Sequence, residues 1–141
     1  MRNRLTWPLL WIARKTAAGL LFAAILVLLT LAQLVVQLVP FRRYAWWLRQ
    51  PTSGPVAPLG LVRSLRRKIH LASRTLPWHP PCLPQALVAR LLLSACGYSS
   101  VLSLGVREDG AVLAAHAWLK SGDLFVCGKA EAAAYGEVAR F

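Results

Sequence analysis

No acidic side chain occurs before Glu108 in this 141-residue chain. The carboxylates are Glu108, Asp109, Asp123, Glu131 and Glu137, set against 17 lysines and arginines. Any mechanism that needs an in-chain carboxylate must draw on those five. Cysteine is scarce as well. Cys82, Cys96 and Cys127 form no CxxC pair and no secreted-type framework, which points to a reducing, cytoplasmic setting. Together with His70, His79 and His116 they match no common zinc spacing, so neither a metal nor a cofactor is expected. The basic charge comes without an RNP, helix-turn-helix or zinc-finger pattern, so nucleic acid is not the expected partner. Internal repeats are absent too. With 57% hydrophobic residues the composition is not that of a disordered chain. The surplus of positive charge suits anionic lipid or an acidic protein partner.

What the chain has in abundance is an apolar run. Residues 16–41 carry no charged side chain. As a helix they would extend about 39 Å, enough for a bilayer core. Arg14 and Lys15 precede the run, Arg42 and Arg43 follow it, and Trp7, Trp11, Tyr44, Trp46 and Trp47 stand near its ends like interfacial anchors. It is too long for a cleaved signal peptide and lacks a small-x-small site. Two readings remain open: a membrane-associated helix, or a long buried one. Residues 1–49 are thus expected to form an apolar and basic N-terminal helical segment. Residues 50–60, with three prolines and two glycines, are expected to be a linker or turn region before a domain at 61–141.

Within that domain Val62, Leu65, Ile69, Ala72 and Leu76 recur at spacings of three and four, one apolar face of a helix. Arg63, Arg66, Arg67 and Lys68 lie elsewhere on it, either contacting phosphate or acidic peptide or forming a solvated face. A second helix is predicted from about Leu83 to Cys96, stopping at Gly97. The period then changes from 3.6 to 2. Strands are predicted at Val101–Val106, Ala111–Leu119 and Leu124–Cys127, joined by turns at 107–110 and 120–123. The order predicts an α+β fold, with helices packed on a small antiparallel sheet.

Chemistry concentrates at LPWHPPCLPQAL, residues 76–87. Pro80 and Pro81 force an extended approach, and Pro84 is tolerated only in a first helical turn. They place Cys82 at or next to a helix N-terminus. Free N–H groups and the positive end of the helix dipole favour negative charge on sulfur there, and can hold an oxyanion. A thiol nucleophile needs a base. His70 falls beside the apolar face of the basic helix, and His79 is close to Cys82 but poorly aimed. His116 lies mid-strand, on the face shared by Ala114 and Trp118. Nucleophile at a helix start and base on a following strand is the layout of papain-like and transglutaminase-like thiol enzymes.

The ordered series LPW (76–78), CLPQAL (82–87), LLL…GY (91–98), LSLGV (102–106) and AHAW (115–118) resembles the maturation protease, or B-protein, of lasso-peptide biosynthesis. The likeness is to its stand-alone C-terminal protease half, and VPFRR (39–43) resembles the upstream segment of that family. The resemblance implies a transglutaminase-like (papain-like) fold and a cysteine peptidase that removes the leader of a ribosomal precursor peptide. It implies two further partners, a small leader-binding recognition protein and an asparagine-synthetase-like lasso cyclase. Carried over, Cys82 is the nucleophile and His116 the general base. Family members often place an Asp on the next strand, about a dozen residues on, where this chain reads VCGK with Cys127 and Gly128. Asp123, at the hairpin turn, is taken as the third member. Glu131 and a backbone carbonyl are the alternatives, since what the third group supplies is orientation. Trp78 and Trp118 are candidates to line a peptide groove, with core packing as the other reading. A catalytically inactive, basic, membrane-associated peptide-binding module is the competing function.

Overall fold

The computed structural model describes the backbone from Thr6 to Phe141 and the side chains from Ala13 onward. Trp7 and Trp11 lie outside the described side chains. The chain runs α1 (Thr6–Leu38), α2 (Phe41–Leu48), α3 (Leu59–Thr75), α4 (Cys82–Ala95), β1 (Val101–Asp109), β2 (Val112–Ser121), β3 (Leu124–Cys127), α5 (Lys129–Ala132) and β4 (Gly136–Arg140). The strands form one antiparallel sheet in the order β3-β2-β1-β4. The fold is therefore α+β, as the change of period predicts.

Alternation decides which sheet face is apolar. Leu102 pairs with Leu119 and Leu104 with Ala117, so these four side chains share a face. That face meets α4 through Ala86, Val88 and Leu93, and the apolar stripe of α3 (Val62, Leu65, Ile69, Ala72) completes the layer. A third contribution comes from α1, whose Ile25 and Leu29 are fully buried in the same core. Each such side chain contributes about 1.5–3 kcal/mol on burial. The second half of α1 is thus part of the packed body.

Three differences from the sequence expectation have physical causes. The β1–β2 hairpin is longer than its apolar alternation, because Glu108↔Leu113 and Asp109↔Val112 continue the ladder with exposed side chains. Strand β4 and the single turn α5 carry no alternating pattern to announce them. Instead, β4 is an edge strand held to β1 by backbone pairing, with a register shift between Leu104 and Gly105. Finally, the Pro- and Gly-rich segment 50–60 is docked along the sheet. Ser99 N–H donates to the Pro55 carbonyl (3.0 Å), Ser100 N–H to Thr52 Oγ1 (2.9 Å) and Ala57 N–H to Ser121 Oγ (2.9 Å).

A buried arginine ties the outer elements to α4. Arg90 donates from Nη2 to the carbonyls of Leu48 and Gln50, both at 2.9 Å, and from Nη1 to that of Phe141 at 3.0 Å. It thereby joins the end of α2 to the segment beyond β4, where the Phe141 carbonyl also accepts from the Leu102 N–H.

Candidate active site

The approach to Cys82 is stiff. His79 adopts φ 40°, an uncommon conformation for a residue with a Cβ, and its N–H donates to the Leu76 carbonyl at 3.1 Å. Pro81 follows in an extended conformation as the residue before α4, and Cys82 is the first residue of the helix. Gln85 reaches back from the first turn and donates Nε2 to the Pro80 carbonyl at 2.8 Å, fixing the loop to the helix it precedes. The first N–H groups of α4 have no intrahelical acceptor. The thiol itself is held from the sheet, where Ala117 N–H on β2 donates to Cys82 Sγ at 3.3 Å.

His116 is the residue before that donor, so it projects from the opposite face of β2. Its ring is buried in an aromatic slot, 6.1 Å from the Trp118 ring and 5.1 Å from the Tyr135 ring, centre to centre. The slot exists because its cross-strand neighbour is Gly105. A Cβ there would lie 2.7 Å from the Trp118 ring and 3.0 Å from Tyr135 Cβ. His116 Nε2 is 3.1 Å from the Gly128 carbonyl, and Nδ1 is 3.4 Å from Glu131 Oε2. Both nitrogens therefore face oxygen acceptors. Gly128 has φ 75°, and a Cβ on it would lie 2.6 Å from the Ala117 carbonyl oxygen and 2.7 Å from Trp118 Cβ. Only glycine can bring this carbonyl so close to β2.

Cys82 and His116 open into one cleft of about 630 Å³ between α3, α4 and the β3–α5 connection. Gln85, Cys127 and Glu131 also line it, and one wall is the Arg63, Arg66 and Arg67 face of α3. The hydrogen bond to Cys82 Sγ comes from the Ala117 N–H and not from the imidazole. A helix-start thiol, a strand histidine and a carbonyl on the histidine's Nε2 make up the arrangement.

The sequence profile of the transglutaminase-like superfamily matches residues 25–140. This chain belongs to the transglutaminase-like superfamily. The match begins at Ile25, the first described residue of α1 that is fully buried in the core. No curated protein and no solved structure matches the chain at a significant level. Within this transglutaminase-like frame, among the described residues, no group of three His, Cys, Asp or Glu side chains converges as a metal site.

The expected third member, Asp123, is not brought to His116. It sits in the β2–β3 turn and faces a separate cavity with Lys120, Phe125 and Arg140. Five residues of extended β2 separate His116 from Ser121, where that turn begins, roughly 16 Å. The partners of the imidazole are instead Gly128, by its backbone, and Glu131. Neither aromatic candidate lines the transglutaminase-like cleft. Trp78 is half-exposed on the loop before α4, and Trp118 packs behind His116. His70, expected beside the apolar face of α3, reaches the rim of the cleft.

Cys127 pairs with Leu119 beside a bulge at Val126 in β3. Part of its surface faces the cleft, but apolar packing around its sulfur pushes the thiol up to about 12. The unfolded chain ionises a cysteine near 8.5. Above that pH the unfolded state binds fewer protons than the folded one, so stability falls as pH rises from about 8.5 towards about 12. Chemical denaturation at pH 8 and pH 10 checks this. The loss of stability across that interval is expected to shrink in Cys127→Ala.

Proposed function

We propose that the protein is the leader peptidase of a lasso-peptide pathway, a cysteine peptidase that cuts a ribosomal precursor peptide and frees the N-terminus of its core. One observation carries the reading. Cys82 begins a helix, takes a hydrogen bond from the sheet, and shares a cleft with a histidine whose Nε2 is held by a backbone carbonyl. The family resemblance of the CLPQAL and AHAW stretches supplies the substrate class, a leader-bearing precursor delivered by a small leader-binding protein. An asparagine-synthetase-like cyclase would then act on the freed amine.

The geometry suits acyl transfer to sulfur. Ala117 N–H and the N-terminal turn of α4 stabilise negative charge on Cys82 Sγ. The sulfur attacks the scissile carbonyl, and the oxyanion is received by first-turn N–H groups of α4. His116 takes the thiol proton and delivers it to the departing amine, and then activates water to hydrolyse the thioester. With Nε2 donating to the Gly128 carbonyl, which orients the ring, Nδ1 is the nitrogen that takes the thiol proton, and Glu131 beside Nδ1 stabilises the imidazolium then formed. The test is to incubate the full chain with a precursor peptide and its leader-binding protein and follow the products by mass spectrometry. Two fragments meeting at one bond support the reading, and an intact precursor overturns it.

A non-catalytic peptide-binding module is the second reading, favoured by the absence of a hydrogen bond between Cys82 Sγ and His116 among the described residues. Thiol labelling separates the two. Under the peptidase reading a haloacetamide at neutral pH reacts with Cys82 at least about tenfold faster than with exposed Cys96. Equal rates would favour the module.

We also read α1 as a membrane-attachment element. Ala13–Leu38 has a mean hydropathy of 2.6 and is mostly exposed. Leu20, Val27, Leu31, Leu34 and Leu38 stand exposed on it at spacings of seven, four, three and four, one helical face. Ile25 and Leu29 dock the opposite face on the core. Only residues 16–24 are both uncharged and ahead of that docking, roughly 14 Å of helix against about 30 Å of hydrocarbon. The geometry therefore favours a helix lying in the interface plane, flanked by Arg14, Lys15, Arg42 and Arg43. The protein is expected to float with vesicles containing phosphatidylglycerol, and Leu20→Asp/Val27→Asp is expected to leave most of it unbound.

A further inference from the structure

The wall of the cleft facing Cys82 is cationic without a structural reason. Arg63, Arg66, Arg67 and His70 are spaced at i, i+3, i+4 and i+7 on α3, and all line the cleft. Like charges at these spacings cost a helix a few tenths of a kcal/mol each. Among the described residues neither Arg63 nor Arg67 is in an ion pair; the pairs are Arg107–Asp109, His116–Glu131 and Arg140–Glu137. Arg66 donates to the Phe125 carbonyl, which fixes its guanidinium on β3 without neutralising it. Lys129 adds a further cation at the opposite lip, and the one carboxylate of the cleft, Glu131, is engaged with His116.

From Arg63 to His70 the stripe runs about 10 Å, the span of three residues of extended peptide. It lines the same concave cleft as the thiol. Guanidinium groups bind carboxylates by paired, charge-assisted hydrogen bonds.

We propose that this arginine face is a subsite for acidic side chains, so that the preferred substrate carries Asp or Glu within about three residues of the scissile bond. The proposal deepens the peptidase reading and rests on it.

The test measures binding apart from cleavage. Full-length Cys82→Ala is titrated into a fluorescein-labelled Glu-rich decapeptide and into its Gln counterpart, read by anisotropy. The Glu peptide is expected to bind about tenfold more tightly at low salt, with the advantage shrinking towards unity at about 0.5 M NaCl. Adding Arg63→Gln/Arg67→Gln is expected to remove the advantage. Lys68→Gln, on the same helix but bonded to Ser64, is expected to keep it. Equal binding of the two peptides overturns the subsite, as does an advantage that survives the double substitution. Tighter, arginine-dependent binding of phosphatidylglycerol vesicles or of oligothymidine would overturn it in favour of lipid or nucleic acid. Acidic selectivity without cleavage by the wild type would overturn the peptidase reading alone. Cleavage with no preference for Glu over Gln would overturn the subsite alone.

Discussion

Cys82→Ala is expected to reduce precursor cleavage by a factor on the order of 10⁴ or more, the scale on which loss of a covalent nucleophile is felt. The fold is expected to survive. The thiol is only partly buried, its replacement is small, and the interaction lost is one N–H···S contact from Ala117. A fall in melting temperature of no more than about 4 °C would correspond to the ~1 kcal/mol at stake in a domain of this size. Quantifying product by mass spectrometry beside a thermal melt distinguishes lost chemistry from lost structure. A folded Cys82→Ala protein that still cleaves at the wild-type rate would remove the nucleophile from the mechanism, and with it the peptidase.

Gly128→Ala is expected to cost about 10²-fold in kcat, more than any substitution of a carboxylate, because misorienting a catalytic imidazole is expensive. The group that holds His116 Nε2 is a backbone carbonyl, so no side-chain deletion can take it away. It can only be displaced. The added methyl meets the Ala117 carbonyl oxygen at 2.6 Å and Trp118 Cβ at 2.7 Å, and neither belongs to the end of a flexible side chain. A left-handed φ adds about 1–2 kcal/mol for a residue with a Cβ. The β3–α5 connection must therefore shift, and Gly128 O leaves the imidazole. The control pair is informative. Glu131→Gln is expected to lose less than about tenfold, since it only weakens support of the imidazolium at an exposed position. Asp123→Asn, at the remote turn, is expected to leave kcat and KM unchanged. A large loss in Asp123→Asn with a small one in Gly128→Ala would reverse the assignment.

The contrast between these residues shows what could be read from the sequence. Cys82 was legible because proline restricts backbone in ways that leave few options: Pro80, Pro81 and Pro84 together allow a helix start and little else. The apolar stripe of α3 and the alternation in β1 and β2 were legible because burial selects side chains periodically. Gly128 was not, since a carbonyl leaves no side-chain signature. Asp123 attracted attention by its chemistry alone, and the pairing of Ser121 with Leu124 keeps it at the far end of the hairpin. Strand β4 escaped because an edge strand held by backbone pairing needs no apolar alternation. The arginines of α3 were visible as charges, but only tertiary packing turns their face into the wall of the cleft.

The docking of residues 50–58 onto the sheet removes the hinge that composition suggests between the N-terminal helices and the rest. With Thr52 and Pro55 hydrogen-bonded to Ser100 and Ser99 just before β1, Ala57 to Ser121 at the end of β2, and Ile25 and Leu29 in the core, α1 is tied to the body that carries the cleft. A chain anchored by the exposed face of α1 would then hold the mouth of the cleft at a set height and tilt above the lipid. Under the proposed peptidase reading, the cleft would meet its substrate at a fixed distance from the lipid, as a tool bolted to a bench rather than one on a tether.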